Sequence, residues 1–136
     1  MSDRLAKARR IVAVREQMHK MAEWEQARLA REHADLERTR GELLSSYDHD
    51  AFGRLFAESV ARRLAQVSRA AQVVVEAKSR QEEKVREEAL ALKRAEKQES
   101  RAQDAARSEA DKKAFQTLVE ASAAASSRDS DNASLA

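Results

Sequence analysis

Three groups of side chains in this sequence have types and spacings that bear on chemistry. Asp48-His49-Asp50 is a short run of oxygen and nitrogen donors. Three donors in a row rarely converge on one metal, and no further donor cluster stands nearby, so the run is expected to be a polar turn with helix-capping aspartates. Arg9 and Arg10, with Lys93, Arg94, Lys97 and Arg101, form two basic stretches, partly offset by Glu96, Glu99 and Asp104. Their chemistry is attraction of an acidic partner. Tyr47, Phe52, Leu55 and Phe56 gather three of the chain's five aromatic residues around one short segment. A cluster of that kind either plugs a helix turn or docks a partner, and partial exposure is expected.

Trp24 stands apart from these groups. It is an exposed partner anchor, as tryptophan often is at interfaces, or it folds over a helix flank against Val75. Both readings stay open at the level of sequence. His19 and His33 are expected on helix surfaces. No catalytic residue, cofactor site or metal site is expected. The sequence holds no glycine-rich phosphate loop, no G-x-S-x-G and no H-E-x-x-H. With no cysteine, thiolate chemistry and disulfides are excluded.

The elements that position these groups follow from composition. The 136 residues include no proline and two glycines, Gly41 and Gly53. Proline costs a helix interior about 3 kcal/mol and glycine about 1 kcal/mol relative to alanine. Charged residues are 37% and aromatic residues 4%, so a thick core is unavailable and a narrow helix–helix seam is expected. The formal net charge is only +2, with both signs interspersed, which argues against a nucleic-acid footprint. The longest apolar runs, such as Ile11-Val12-Ala13-Val14, fall far short of the ~20 residues a membrane span needs. Met1-Ser2-Asp3-Arg4 has none of the apolar character of a signal peptide.

Ala22, Leu29, Leu36 and Leu43 recur every seven residues, with Ile11, Met18, Glu25, Glu32 and Thr39 as the expected companion row. A second 3–4 stripe runs Ala57, Val60, Leu64, Val67, Ala71, Val74, Lys78, Gln81, Val85, Glu88, Leu92, Ala95, Glu99, Ala102 and Ala106. The pattern predicts an all-α fold, an antiparallel two-helix coiled-coil hairpin over residues 3–121. Helix 1 spans about 3–46, the turn 47–53 and helix 2 about 51–121. Residues past Gln98 overhang, and 122–136 form a disordered tail. Reversal near His49 would set Ala22 opposite Glu76–Ala77. A hairpin of this kind is expected to be a monomer when free. The competing architecture is a self-associating rod of extended helices that never bend; a nucleic-acid-binding coiled coil is a lesser alternative.

The opening helix reads Leu5…Ile11-Val12-Ala13-Val14-Arg15-Glu16, then Ala22-Glu23…Ala27…Leu29-Ala30. The return carries Lys93-Arg94-Ala95-Glu96-Lys97…Glu99…Arg101 and Glu109-Ala110-Asp111-Lys112…Gln116. Across residues 3–120 this resembles the FliJ family of flagellar type III export proteins and their YscO-type virulence relatives. It differs in lacking an early aromatic residue and in having Asp111-Lys112 where the family tends to Asp-Glu. The resemblance implies a non-enzymatic stalk. One end would enter the export ATPase hexamer and the other would reach a membrane export gate, with export chaperones as further partners. By position, Arg9, Arg10, Lys93, Arg94, Lys97 and Arg101 would meet the ATPase, and Tyr47, Phe52, Leu55 and Phe56 the gate. The implied location is cytoplasmic, peripheral to the bacterial inner membrane through those partners.

Overall fold

In the computed structural model, residues 2–49 and 55–135 are described, and nearly all are helical. Helix α1 spans Ser2–His49 and helix α2 spans Ala57–Leu135. Asp3 lies in the first turn of α1 and Glu58 in that of α2, where carboxylates oppose the helix dipole favourably. The N–H of Val60 donates to the Phe56 carbonyl at 2.9 Å, extending the helical bonding pattern just upstream of α2.

The two helices pack against each other in an antiparallel sense. Gln81 Nε2 donates to the carbonyl oxygen of Ala22 at 2.9 Å, and Arg15 Nη1 lies 3.7 Å from Glu88 Oε2. These contacts within one chain replace the extended, unbent architecture. They also correct the expected register: Gln81, not Glu76–Ala77, stands against Ala22. Tyr47, Asp48 and His49 continue α1 rather than forming the turn; the expected start of helix 2 near 51 lies outside the described residues. The expected roles of Asp50 and Gly53 in the turn fall outside the described residues. The partner of each α1 residue moves about four positions along α2. Four residues are close to one helical turn, so the same stripe still faces inward.

That stripe is legible residue by residue. All of its positions from Ala57 to Ala106 are buried or half-buried, including the polar Lys78, Gln81, Glu88 and Glu99. On α1 the expected companion row holds only in part: Glu25 and Thr39 are half-buried, but Ile11, Met18 and Glu32 are exposed. The inward row is Leu5, Val12, His19, Gln26 and His33, whereas Ile11 and Met18 are exposed. His19 and His33 therefore sit half-buried on the seam side instead of on an open surface. Polarity misleads here because a two-helix seam is open on both flanks. Long polar side chains can lie over it while their heads reach water.

Contacts group the chain into two units. Residues Val14–Lys93 form one, in which Ala22, Leu29, Val67, Ala71 and Val74 are the buried core. Met1–Ala13 and Arg94–Ala136 form the other, whose buried residues are Val12, Ala95 and Ala102. Half of these eight side chains are alanine, so the helices gain close approach rather than bulk. No large side chain is fully enclosed among the described residues.

Beyond Ala106 the residues of α2 up to Ala133 are all exposed. The disordered tail expected for 122–136 is instead helical through Leu135. An established helix adds residues cheaply where no proline or glycine intervenes, and Ala121, Ala123, Ala124 and Ala125 favour continuation.

Two measurements check this packing. Leu29 is buried and Leu36 half-buried, so in urea denaturation Leu29→Ala should cost about 3 kcal/mol and Leu36→Ala about 2 kcal/mol. The chain lacks cysteine, so paired cysteines report register directly. Ala22→Cys should cross-link with Gln81→Cys faster than with Ala77→Cys.

Candidate functional site

The candidate functional surfaces are docking faces held by a polar seam. Ala22 has only a methyl side chain, so its backbone carbonyl is open to Gln81 across the seam. That carbonyl has a second lone pair beyond the one used within the helix. One turn pair away, Glu88 has a side chain only 14% exposed. Its Oε2 is buried without a hydrogen-bond partner, because the Arg15 guanidinium at 3.7 Å is too distant for one. The pair is attractive but incompletely satisfied, and it marks register more than it adds stability.

On the solvent side, α1 is laced by ion pairs along its own axis. Arg28 donates to Glu25 through Nε at 2.9 Å and Nη2 at 2.6 Å, and through Nη1 to Glu32 at 3.2 Å. The Arg28 hydrogen bonds hold the Glu25 carboxyl below its usual range, while the Glu25 bonds raise Arg28. On α2, Arg86 bonds Glu83 at 2.6 Å and is raised for the same reason. Such exposed pairs stiffen a helix surface at small energetic gain.

The apolar group near the reversal is exposed. Tyr47 is 44% exposed, Leu55 77% and Phe56 59%. Phe52 lies outside the described residues. Leu44, 46% exposed, joins this surface. Its signal in the sequence is the i,i+3 spacing to Tyr47, which places both on one helix face. All four described members belong to the unit Val14–Lys93.

The basic group divides. Arg9 and Arg10 share the other unit with Arg94, Lys97 and Arg101, and all five are exposed. Arg4 lines a groove with Ala102, Ala105, Ala106 and Glu109, so the first turns of α1 run beside this part of α2. Lys93 is exposed in the unit that holds Tyr47.

Trp24 is 72% exposed, which excludes the reading in which it folds over the helix flank. It does not cover Val75, itself 41% exposed. Instead it shares a shallow groove of α1 with Met21, Glu25, Ala27, Arg28 and Arg31. Among the described residues no group of three His, Cys, Asp or Glu side chains is arranged to hold a metal ion, and no helix is long and apolar enough to cross a membrane. For the expected metal-free reading of Asp48-His49-Asp50, Asp50 lies outside the described residues.

The unsatisfied carboxylate makes a sharp prediction. Glu88→Gln should leave stability within about 0.5 kcal/mol or raise it, whereas Arg15→Ala should cost about 1–2 kcal/mol by stranding Glu88. Thermal denaturation of the two variants at neutral pH compares them directly.

No protein-family model matches the chain, and neither a curated protein nor a solved structure matches it.

Proposed function

We propose that this protein is a non-enzymatic stalk-type adaptor of a bacterial flagellar type III export apparatus. In this reading it links the export ATPase hexamer to the membrane export gate. The observation that supports it most is the antiparallel pairing of two long helices with a chemically distinct exposed surface in each unit. The first is apolar, made by Tyr47, Leu55 and Phe56; the second is basic, made by Arg9, Arg10, Arg94, Lys97 and Arg101. A helix pair with so little enclosed volume suits transmission of contacts between partners better than chemistry on a small substrate. The assignment to an export apparatus rests on the resemblance of residues 3–120 to the FliJ family.

In mechanism, the basic surface would be drawn to acidic groups lining the ATPase ring, which speeds encounter and sets orientation. The apolar surface would bury its exposed rings and leucines against the gate. Neither step requires a cofactor. Chaperones carrying export cargo would be further partners, and the chain would act from the cytoplasmic side, held at the inner membrane through those contacts.

The test is the hydrolysis rate of the cognate export ATPase, measured with and without the full chain. The rate should rise severalfold with the chain. Arg9→Glu with Arg10→Glu should abolish the rise and leave gate binding intact; Leu55→Ala with Phe56→Ala should do the reverse. No binding to the ATPase and an unchanged rate would end this reading.

A further inference from the structure

The seam between α1 and α2 changes its chemistry partway along, within the unit Val14–Lys93. One section is apolar. On α2 it runs Ala57, Val60, Leu64, Val67, Ala71 and Val74, all buried or half-buried, and on α1 it holds Leu29, Leu36 and Leu43. His33 and Thr39 are the polar side chains turned toward it. The next section is polar. Arg15, His19 and Gln26 of α1 and Lys78, Gln81 and Glu88 of α2 occupy the inward stripes there, and every one of them is half-buried. Ala22 and Val85 are the apolar members of the two stripes over the same span.

The two sections differ in what separation of the helices would expose. Parting the apolar section wets valines and leucines, which costs free energy in proportion to the apolar area uncovered. Parting the polar section wets little more than one methyl group and one valine. It also returns water to groups that closure deprives of it. Glu88 Oε2 is buried without a hydrogen-bond partner, and Arg15 Nη1 at 3.7 Å does not replace the lost hydration. His19 bonds Glu23 of its own helix, so that bond ties nothing across the seam. The contact of Gln81 with the Ala22 carbonyl is the one hydrogen bond that crosses here among the described residues, and water can take over both of its ends.

We propose that the seam opens locally over residues 15–26 and 78–88, while residues 29–43 and 57–74 stay closed. In the open form the helix faces part and each helix stays intact along its own axis, because neither stretch contains glycine or proline. Opening of this kind lies below global unfolding in free energy. A partner that binds one helix alone over the span shifts the balance further toward the open form. None of the residues proposed to meet the ATPase or the gate takes part, so the device stands apart from the export reading.

Two matched pairs of spin labels test this in the full chain, which has no cysteine of its own. Glu23→Cys with Arg80→Cys brackets the polar section, and Glu37→Cys with Gln66→Cys brackets the apolar one. All four positions are exposed. The two pairs are offset by two whole heptads on each helix, so a closed seam gives them the same geometry. Double electron–electron resonance should give a single narrow distance for the Glu37–Gln66 pair. The Glu23–Arg80 pair should give that distance and a longer one, the longer in about a tenth or more of the molecules. Arg15→Leu with Glu88→Leu makes the polar section more apolar; it should remove the longer distance and leave the Glu37–Gln66 pair unchanged. Four results would overturn the proposal: the same narrow distance for both pairs; a longer distance of equal share in both, which means that the whole hairpin parts; a longer distance that grows with chain concentration, which assigns it to helix exchange between copies; or a longer distance that survives Arg15→Leu with Glu88→Leu.

Discussion

Everything in this molecule depends on a seam that is narrow, rich in alanine and open to water on both flanks. The side chains it encloses are small. Val12, Leu29, Val67 and Val74 are the larger buried groups, and Ala22, Ala71, Ala95 and Ala102 fill the remaining core positions. Full burial of a valine or leucine gives about 1.5–3 kcal/mol, so a few such residues carry most of the hydrophobic stabilisation. The rest of the seam is polar but not idle. Gln81 reaches a backbone carbonyl across the alanine of the other helix, and Glu88 faces Arg15. Alanine makes the first contact possible because a larger residue at position 22 would hold the helices apart.

A thin seam has a consequence for function. Two paired helices bury little and display much, so the chain's chemistry is spread over its outer faces. Those faces differ. Tyr47, Leu55 and Phe56 offer apolar area, Arg9, Arg10, Arg94, Lys97 and Arg101 offer charge, and Trp24 sets an apolar ring beside Glu25, Arg28 and Arg31. The long exposed stretch of α2 after Ala106, with Phe115 and Leu118 at 68% and 69% exposure, adds apolar area of the same kind.

The polar members of the seam also explain where reasoning from hydrophobicity goes astray. On α1, Ile11 and Met18 have the composition of core residues and are exposed, while His19, Gln26 and His33 are half-buried. The seven-residue row of Ala22, Leu29, Leu36 and Leu43 faces inward, but on its flank Ile11, Met18 and Glu32 give way to Val12, His19 and His33, while Glu25 and Thr39 stay half-buried. Two rows flank any heptad row, and chemistry alone favoured the more apolar one.

The sequence by itself determined the two helices up to about residue 121 and the inward stripe of α2 from Ala57 to Ala106. These follow from backbone preference and 3–4 periodicity, which are local properties. Register, the inner row of α1 and the exposure of Trp24 were decided only in the tertiary structure. A shift of one helical turn keeps the same faces together, so periodicity is blind to it. Only the contacts of particular pairs, Gln81 with Ala22 and Arg15 with Glu88, distinguish one turn from the next.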